Sequence, residues 1–146
     1  MLEIKRIESE RTYPLRHKIL RPHRPYEECI YDTDNEPESF HIGAFYKNEL
    51  ISVASFCIEA CPGLPSKRPF RLRAMATWIE FRKMGAGRAV VNYAEDILKS
   101  KKVDLLWCKG RVNVQKYYEK LGFKRYGDVF DYPTIGPHII MYKKLT

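Results

Sequence analysis

Short runs of apolar, aromatic and β-branched residues, separated by turn-forming residues, predict most elements of this chain as strands. The first ten residues alternate Leu2, Ile4 and Ile7 with polar residues and predict a short strand. Further strands are predicted at Phe40–Tyr46, Leu50–Glu59, Phe70–Thr77, Val103–Cys108, Phe123–Phe130 and His138–Tyr142. Lys47-Asn48-Glu49 is interpreted as a hairpin turn, and residues 131–137 as a loop between the last two strands.

Apolar residues at helical spacing predict three helices between these strands. The predicted helices are Thr12–Leu20, Gly87–Ser100 and Val114–Leu121. Thr12 is interpreted as the cap of the first helix, and the prolines of residues 21–25 end it. Residues 32–37 are polar and predict an exposed loop, whereas Gly122 is a typical left-handed helix end. The order of elements predicts one α+β domain over residues 1–146, with no linker or repeat.

Composition and charge narrow the function classes. The chain has 146 residues, of which 45% are apolar, so it can bury a core, and a disordered protein is excluded. The net charge of +8 suits an anionic partner such as a nucleic acid, an acidic lipid surface or a small phosphorylated molecule. No apolar run approaches the roughly 20 residues of a membrane-spanning helix, and the first ten residues contain no apolar core of the kind found in signal peptides. We therefore expect a cytoplasmic protein without a membrane partner.

The four cysteines, Cys29, Cys57, Cys61 and Cys108, match no zinc-site spacing, so no metal is expected. Cys57 and Cys61 are four residues apart, so a redox pair is an alternative interpretation. Isolated cysteines more often act as small buried hydrophobic residues, and we favour that interpretation for all four.

The most informative segment is Arg82-x-x-Gly85-x-Gly87, which joins a predicted strand to the long helix. Glycines there allow a sharp turn and a close approach of the backbone to a ligand. The free N–H groups at the start of the helix point to the same place, so the segment predicts a phosphate-binding turn. On the glycine spacing alone, an ordinary strand-to-helix turn stays open.

A second motif, Tyr117-Tyr118-Glu119-Lys120-Leu121-Gly122-Phe123, follows about one helix and one strand later. Together the two motifs resemble the acyl-CoA-binding signature of the GNAT acetyltransferase superfamily. The resemblance extends over the whole chain to glyphosate N-acetyltransferase and its bacterial relatives. The segments that carry it are Leu15–Pro22, Phe40–Phe45, Leu72–Thr77, Leu105–Cys108 and Gly136–Lys143.

This resemblance implies the GNAT acyl-CoA N-acyltransferase fold, a central mixed β-sheet flanked by helices, and acetyl-CoA as the cofactor. It assigns cofactor binding to Met75, Ala76, Thr77, Arg82, Lys83, Met84, Gly85, Ala86, Gly87 and Arg88. A backbone N–H near Met75–Thr77 would stabilise the negative charge that develops on the acetyl oxygen.

The family's substrate-binding arginines correspond to Arg21, Arg73 and Arg111. Several guanidinium groups suit a small substrate with two acidic groups, because bidentate pairs supply both charge and orientation. Taken singly, Arg21 and Arg111 are also typical of exposed surface cations, and Arg73 of an outward-facing strand residue. The hypothesis depends on all three acting together.

His138 corresponds to the family's catalytic base and Tyr118 to the general acid that protonates the departing thiolate. A structural role for His138 stays open, and for His41 it is favoured. Residues 117 and 118 of a helix point about 100° apart. We therefore expect Tyr118 alone to face the cleft and Tyr117 to lie in the core.

The sequence departs from the family at a few positions near the proposed site. Ala74 stands where glycine is usual beside Arg73, and Val112–Val114 replaces smaller residues. Lys109-Gly110 replaces an Asn-Ala pair, which adds a positive charge near the site. These changes leave the chemistry intact but leave the substrate open.

The sequence thus predicts an acetyl-CoA-dependent N-acetyltransferase whose substrate is a small anionic amine, resembling an amino acid or an aminophosphonate. Glyphosate-type activity is compatible with this prediction. The alternative is a GNAT enzyme that acts on a protein or a charged tRNA, and a non-enzymatic nucleic-acid or CoA-sensing module is less favoured. A nucleic-acid partner is not expected, and monomer and homodimer both stay open.

Overall fold

The computed structural model describes residues 1–133 and 136–145. Seven strands form one mixed sheet in the order β1-β2-β3-β4-β5-β7-β6. They are β1 Leu2–Ile7, β2 Phe40–Tyr46, β3 Glu49–Ile58, β4 Pro69–Thr77, β5 Leu105–Arg111, β6 Lys124–Tyr132 and β7 Gly136–Lys144. The only parallel pair in the described sheet is β4 with β5, and the other neighbours are antiparallel. The predicted α+β class and all seven strands are confirmed.

Two connections are tighter than predicted. The β2–β3 turn consists of Lys47 and Asn48, both with positive φ (48° and 69°), because this backbone twist matches that of the flanking strands. Glu49, predicted in the turn, already belongs to β3. The predicted loop 131–137 shrinks because β6 and β7 extend into it, and its residues 134 and 135 lie outside the described part of the chain.

The helices are α1 Tyr13–Leu15, α2 Ala86–Ser100 and α3 Gln115–Lys120. A 3₁₀ turn, Ser9–Thr12, precedes α1, and a π-helical segment, Arg16–Leu20, continues it to the predicted end. Further 3₁₀ turns are Tyr26–Cys29, Ile79–Phe81 and Val112–Val114. Thr12 does not cap α1 as predicted, because its hydroxyl donates backwards to the Ser9 carbonyl at 2.7 Å. No helix in the described residues is long and apolar enough to cross a membrane.

The two faces of the sheet differ in character. The face that packs against α2 is apolar and carries buried residues such as Phe56, Leu72 and Leu106. Side chains alternate along a strand, so Arg71 and Arg73 of β4 point to the opposite face. On that face, which bears the N-terminal helical segment, lie Arg73 and most of the buried polar residues, such as Arg16, Asp34 and Ser55.

The loop of residues 32–37, predicted to be exposed, contains one of the most buried carboxylates of the described residues. The Asp34 side chain is 2% exposed and forms two hydrogen bonds of 2.8 Å with Arg16, whose side chain is 1% exposed. Arg16 also donates to the Cys29 carbonyl and to Ser55 Oγ, at 2.7 Å each. Burial alone would raise the pKa of Asp34, but the Arg16 hydrogen bonds, the Tyr31 N–H and the Arg16 charge outweigh it and lower that pKa. The prediction of an exposed loop is therefore wrong at Asp34, because the ion pair compensates the charge inside the protein.

His41 extends this buried network. Its Nε2–H donates to the Asp34 carbonyl at 2.9 Å, and its Nδ1 accepts from Ser55 Oγ at 2.7 Å, which fixes the neutral tautomer. Burial, helped by the Arg16 charge, lowers the pKa of His41, although the Asp34 carbonyl and carboxylate oppose the shift. The structural role favoured for His41 agrees with these contacts.

All four cysteines are free and buried, as expected for small hydrophobic residues. Burial raises the pKa of the Cys108 thiol to about 12. The thiols are therefore poor nucleophiles at neutral pH.

Replacing Asp34 by Asn is expected to lower the free energy of unfolding by about 3–5 kcal/mol, because it leaves the Arg16 charge buried without a counter-ion. Chemical denaturation measures the loss. Asp32→Asn, at an exposed position two residues earlier, serves as the matched control and should change stability by less than about 0.5 kcal/mol. Equal losses in both variants would contradict a specific role for the buried ion pair.

The lowered pKa of His41 predicts a loss of stability on acidification. The unfolded state binds a proton below about pH 6.5, and the folded state does so only at lower pH, so unfolding becomes easier as the pH falls from 7 to 5. His41→Gln should flatten this slope by up to about 1.4 kcal/mol per pH unit. The exposed His23, changed to Gln, should leave the slope unaltered. An unchanged slope in His41→Gln would contradict the assignment.

Candidate active site

A cleft opens where β4 and β5 separate. These parallel strands pair only from Pro69 to Arg71 of β4, opposite Leu105 to Trp107 of β5. Past these pairs the strands diverge and leave an open cleft of about 910 Å³, lined by both strands, α2, α3 and the N-terminal helical segment. The β4 edge that faces this cleft has no strand partner within the described residues, so its backbone groups are available to a ligand.

A β-bulge lies on β4 beside this gap. Ser55 of β3 pairs with Arg73, and Val53 pairs with Ala76, so two residues of β4 lie opposite one of β3. Ala74, within the bulge, has a left-handed backbone (φ 54°), which costs a non-glycine residue about 1 kcal/mol. This conformation explains why glycine suits the position, and it redirects the backbone next to Met75, which lines the cleft.

The turn between β4 and α2 has the geometry of an anion-binding site. Gly85, with a left-handed backbone (φ 79°), precedes α2, and the Ala89 N–H makes the first hydrogen bond of the helix, to the Gly85 carbonyl at 3.0 Å. The N–H groups of residues 86–88 therefore have no partner within the helix and stand at its positive end. Exposed basic side chains surround the turn and line the cleft: Arg82, Lys83 and Arg88. Met84 is exposed and does not line the cleft.

This arrangement fits the diphosphate of coenzyme A. The free N–H groups supply directed donors, and the three basic side chains supply charge. The gap between β4 and β5 can receive the extended thiol-bearing arm of the same molecule, because the β4 backbone there is unpaired.

Tyr118 is held at the cleft by the end of α3. The Phe123 N–H donates to the Tyr118 carbonyl and the Gly122 N–H to the Glu119 carbonyl, at 3.0 Å each, and Gly122 is left-handed (φ 96°). The Tyr118 and Phe123 rings pack edge-to-face at 5.6 Å. The motif thus places the aromatic ring by a helix-ending turn. Burial, followed by the Cys108 and Tyr117 groups, raises the pKa of Tyr118 well above its ordinary value, so the phenol keeps its proton at neutral pH.

Gly110 of β5 also sets the position of Tyr118. It is buried, and a Cβ there would lie 3.2 Å from Cε2 of the Tyr118 ring, which is tighter than an ordinary carbon contact. The absence of a side chain at Gly110 therefore lets the ring approach the strand.

The expectation that Tyr117 lies in the core is wrong. Tyr117 is 43% exposed and also lines the cleft, and its hydroxyl donates to Met75 Sδ at 3.5 Å. The same hydroxyl occupies the space that a Cβ on Gly87 would need. Because α3 is short and the cleft surrounds one side of it, residues 100° apart on this helix both border the cleft.

His138 lies on β7, 6% exposed, directly opposite Arg111 of β5. Its Nδ1–H donates to the Gly136 carbonyl at 2.9 Å, which leaves the Nε2 lone pair free to accept a proton. The rings of Phe130 and Tyr132 pack against its imidazole, with ring centroids 6.1 and 4.9 Å from the imidazole centroid, respectively. The imidazole is thereby oriented, and it lines the cleft.

The three arginines identified in the sequence all line the same cleft as His138 and Tyr118. Arg111 donates to the Leu20 carbonyl at 3.3 Å. Arg73 stacks on the Tyr31 ring at 4.2 Å and reaches Thr33 Oγ1 at 3.5 Å. Arg16 also contacts the Tyr31 ring, with its Cζ 4.2 Å from the ring centroid. The buried Arg16–Asp34 pair therefore supports the segment against which Arg73 rests.

Several lining residues are not predicted by the sequence analysis. Tyr31 lies in a region without a recognisable local pattern, and Tyr132 near the end of a strand. Arg71 could have been found, because it precedes Arg73 by two residues and must share its face of the strand.

The lining of the cleft is strongly basic. Nine cationic side chains line it, and no Asp or Glu of the described chain does so. The nine are Arg21, Arg71, Arg73, Arg82, Lys83, Arg88, Lys109, Arg111 and Lys120. Such a cleft attracts anions from solution and holds them in a partly desolvated site.

Comparison with known proteins agrees with this geometry. The model of the Acetyltransferase (GNAT) family matches residues 3–123. The N-acetyltransferase YitI of Bacillus subtilis (strain 168), itself uncharacterized, is 47% identical over 145 residues, which cover 99% of this chain and 97% of YitI.

Solved structures share the fold at low sequence identity. FeeM, an N-acyl amino acid synthase from uncultured soil microbes, has a TM-score of 0.81 at 13% identity, covering 99% of this chain and 91% of FeeM. An aminoglycoside 6'-N-acetyltransferase complexed with coenzyme A has a TM-score of 0.77 at 17% identity, covering 99% of this chain and 97% of that enzyme. The family model covers most of the chain, and the free β4 edge and the anion-binding turn at α2 agree with it. This chain therefore belongs to the GNAT family of acetyltransferases and uses acetyl-CoA as its acetyl donor.

Proposed function

We propose that this enzyme transfers acetyl to the amine of a small anionic substrate that resembles an amino acid or an aminophosphonate. The observation that carries the proposal is the set Arg21, Arg73 and Arg111, which shares one cleft with His138 and has no carboxylate beside it in the described lining. Guanidinium groups bind carboxylates and phosphonates in bidentate geometry, and they repel a cationic amine that lacks acidic groups.

The distribution of charge favours a small substrate over a macromolecule. Nine of the 26 basic residues line the cleft, which leaves 17 elsewhere against all 18 acidic residues. The net positive charge of the protein is therefore a property of the cleft. An enzyme acting on a protein or a charged tRNA would more typically have a basic stripe across its outer surface.

In the proposed reaction, each residue has one task. Bound acetyl-CoA supplies the activated acetyl group. Arg21, Arg73 and Arg111 hold the acidic groups of the substrate, so that the amine lies near Nε2 of His138. His138 accepts the proton that the amine loses as the C–N bond forms. Tyr118 donates its phenolic proton to the sulfur as the C–S bond breaks.

The backbone supplies the remaining stabilisation. The bulge around Ala74 and the unpaired edge of β4 offer N–H donors to the acetyl carbonyl oxygen, where negative charge develops. The turn of residues 82–88 is the proposed site of the diphosphate. Glyphosate-type activity, which the sequence resemblance implies, is compatible with this site, since glyphosate is a secondary amine with one carboxylate and one phosphonate. Four free, buried cysteines suit the reducing cytoplasm, which we propose as the location.

A panel of amines tests the substrate class. With acetyl-CoA saturating, the release of free thiol should show kcat/KM at least about 100-fold higher for a dicarboxylic amino acid than for its neutral diamide, because two charged contacts are lost. A cationic amine of similar size, such as a diamine, should be slower still. Rates on the diamide or the diamine equal to those on the diacid would contradict the proposed arginine site.

The role of His138 as base predicts a loss of turnover on substitution. His138→Ala should lower kcat by about 10²–10⁴-fold. The exposed His23, changed to Ala, is the matched control and should leave kcat unaltered. A His138→Ala enzyme with the wild-type kcat would require another group as the base.

A further inference from the structure

The place of the Tyr118 phenol depends on the backbone at the end of α3. The ring is held by packing: it meets the Phe123 and Tyr117 rings edge-to-face, with centroids 5.6 Å apart in each case. The helix that carries it, Gln115–Lys120, has only 6 residues, and a helix of this length is not stable without outside support. A contact that fixes the end of α3 therefore also fixes the phenol.

Lys143 makes such a contact. Its Nζ donates to the Leu121 carbonyl at 2.9 Å. The Leu121 N–H in turn donates to the Tyr118 carbonyl at 3.0 Å, so two hydrogen bonds through one residue link the ammonium to the backbone of Tyr118. The last carbonyls of a helix have no partner within it and stand at its negative end, so a cation bound there stabilises the end of the helix.

A buried carboxylate on α2 holds the Lys143 ammonium in this position. Glu95 Oε2 accepts from Nζ at 2.7 Å, and the Glu95 side chain is only 9% exposed. Side chains alternate along β7, so Lys143 shares a face of the sheet with Ile139 and Met141, which belong to the core packed against α2. The pair therefore joins α2, which begins at the anion-binding turn, to β7, which carries His138.

The glycine of the second sequence motif leaves room for the same contact. A Cβ on Gly122 would lie 2.8 Å from Nζ and 2.9 Å from Cε of Lys143. The left-handed backbone of Gly122 (φ 96°) favours glycine on its own account, and the lysine stem fills the space beside it. A side chain at this position would displace the ammonium from the Leu121 carbonyl.

We propose that Lys143, held by Glu95, is a positioning residue that fixes the end of α3 so that the Tyr118 hydroxyl lies where the thiolate departs. This inference rests on the proposed role of Tyr118 as the general acid. His138 also lies on β7, so one strand holds both the proposed base and the support of the proposed acid. Proton transfer needs a heavy-atom distance of about 2.6–3.2 Å, and a misplacement of about 1 Å can slow a reaction 10²-fold.

A double-mutant cycle with Tyr118→Phe tests whether Lys143 acts through the phenol. The assay is the release of free thiol, with the amine of the panel that gives the highest kcat/KM, whatever its charge. Lys143→Met should lower kcat at least about tenfold, with KM for acetyl-CoA and for the amine within about twofold of the wild type. In the Tyr118→Phe background the same change should lower kcat less than about twofold, because no phenolic proton remains to be positioned. Equal factors in the two backgrounds would overturn the inference.

A second variant separates positioning from stability. Lys143→Met leaves the Glu95 carboxylate buried without its cation, which destabilises the fold. Glu95→Leu/Lys143→Met replaces the pair by apolar side chains of similar size, so its unfolding temperature should be close to that of the wild type. Its kcat should stay low, because the hydrogen bond to Leu121 is still absent. Recovery of the wild-type kcat in this variant would overturn the inference. Lys144→Met, at the adjacent exposed position of β7, is the matched control and should leave kcat unaltered.

Crystal structures of the coenzyme A complexes test the inference without turnover. In Glu95→Leu/Lys143→Met the Tyr118 hydroxyl should lie about 0.5–1 Å further from the coenzyme sulfur than in the wild type. An unchanged hydroxyl position would overturn the inference. A Tyr118→Phe enzyme with the wild-type kcat would instead overturn the proposed role of Tyr118 as the acid, which distinguishes the two failures.

Discussion

The divergence of β4 from β5 past Arg71 and Trp107 is the constraint on which the site depends. In the described part of the chain, only three residue pairs join the two strands, and the remaining edge of β4 there lacks the partner that an interior strand normally has. The bulge at Ala74 lies on this free segment. Because α2 begins at the mouth of the same gap, we propose that the free N–H groups of its first turn and of β4 bind one elongated ligand.

The basic side chains around this gap repel one another, and contacts with partly buried residues hold Arg73 in place. Arg16 and Asp34, buried and 18 residues apart, fix the segment that carries Tyr31. Tyr31 in turn gives Arg73 a stacking surface. A buried ion pair contributes little net stability of its own, but losing one partner is costly, so this pair specifies a conformation. The segment from Tyr31 to Asp34 contributes both to the folded interior, through Asp34, and to the lining of the cleft, through Tyr31.

The sequence predicts the features that are encoded locally. Strand alternation, the turn at Gly85 and the Tyr118-to-Phe123 helix end each depend on neighbours within a few residues, and all three are present. The burial of Asp34 was not predictable, because its partner Arg16 is 18 residues away in the sequence and its own neighbours are polar, as in an exposed loop. The exposure of Tyr117 depends on the length of α3 and the shape of the cleft.

The crystal structure of the complex with acetyl-CoA tests the central claim most directly. We expect the diphosphate on the N–H groups of residues 86–88 and the thioester in the gap between β4 and β5. Its carbonyl should lie on the backbone of the Ala74 bulge, with the sulfur near the Tyr118 hydroxyl. A diphosphate bound away from the start of α2, or a thioester outside the gap, would contradict the interpretation of this cleft as the active site.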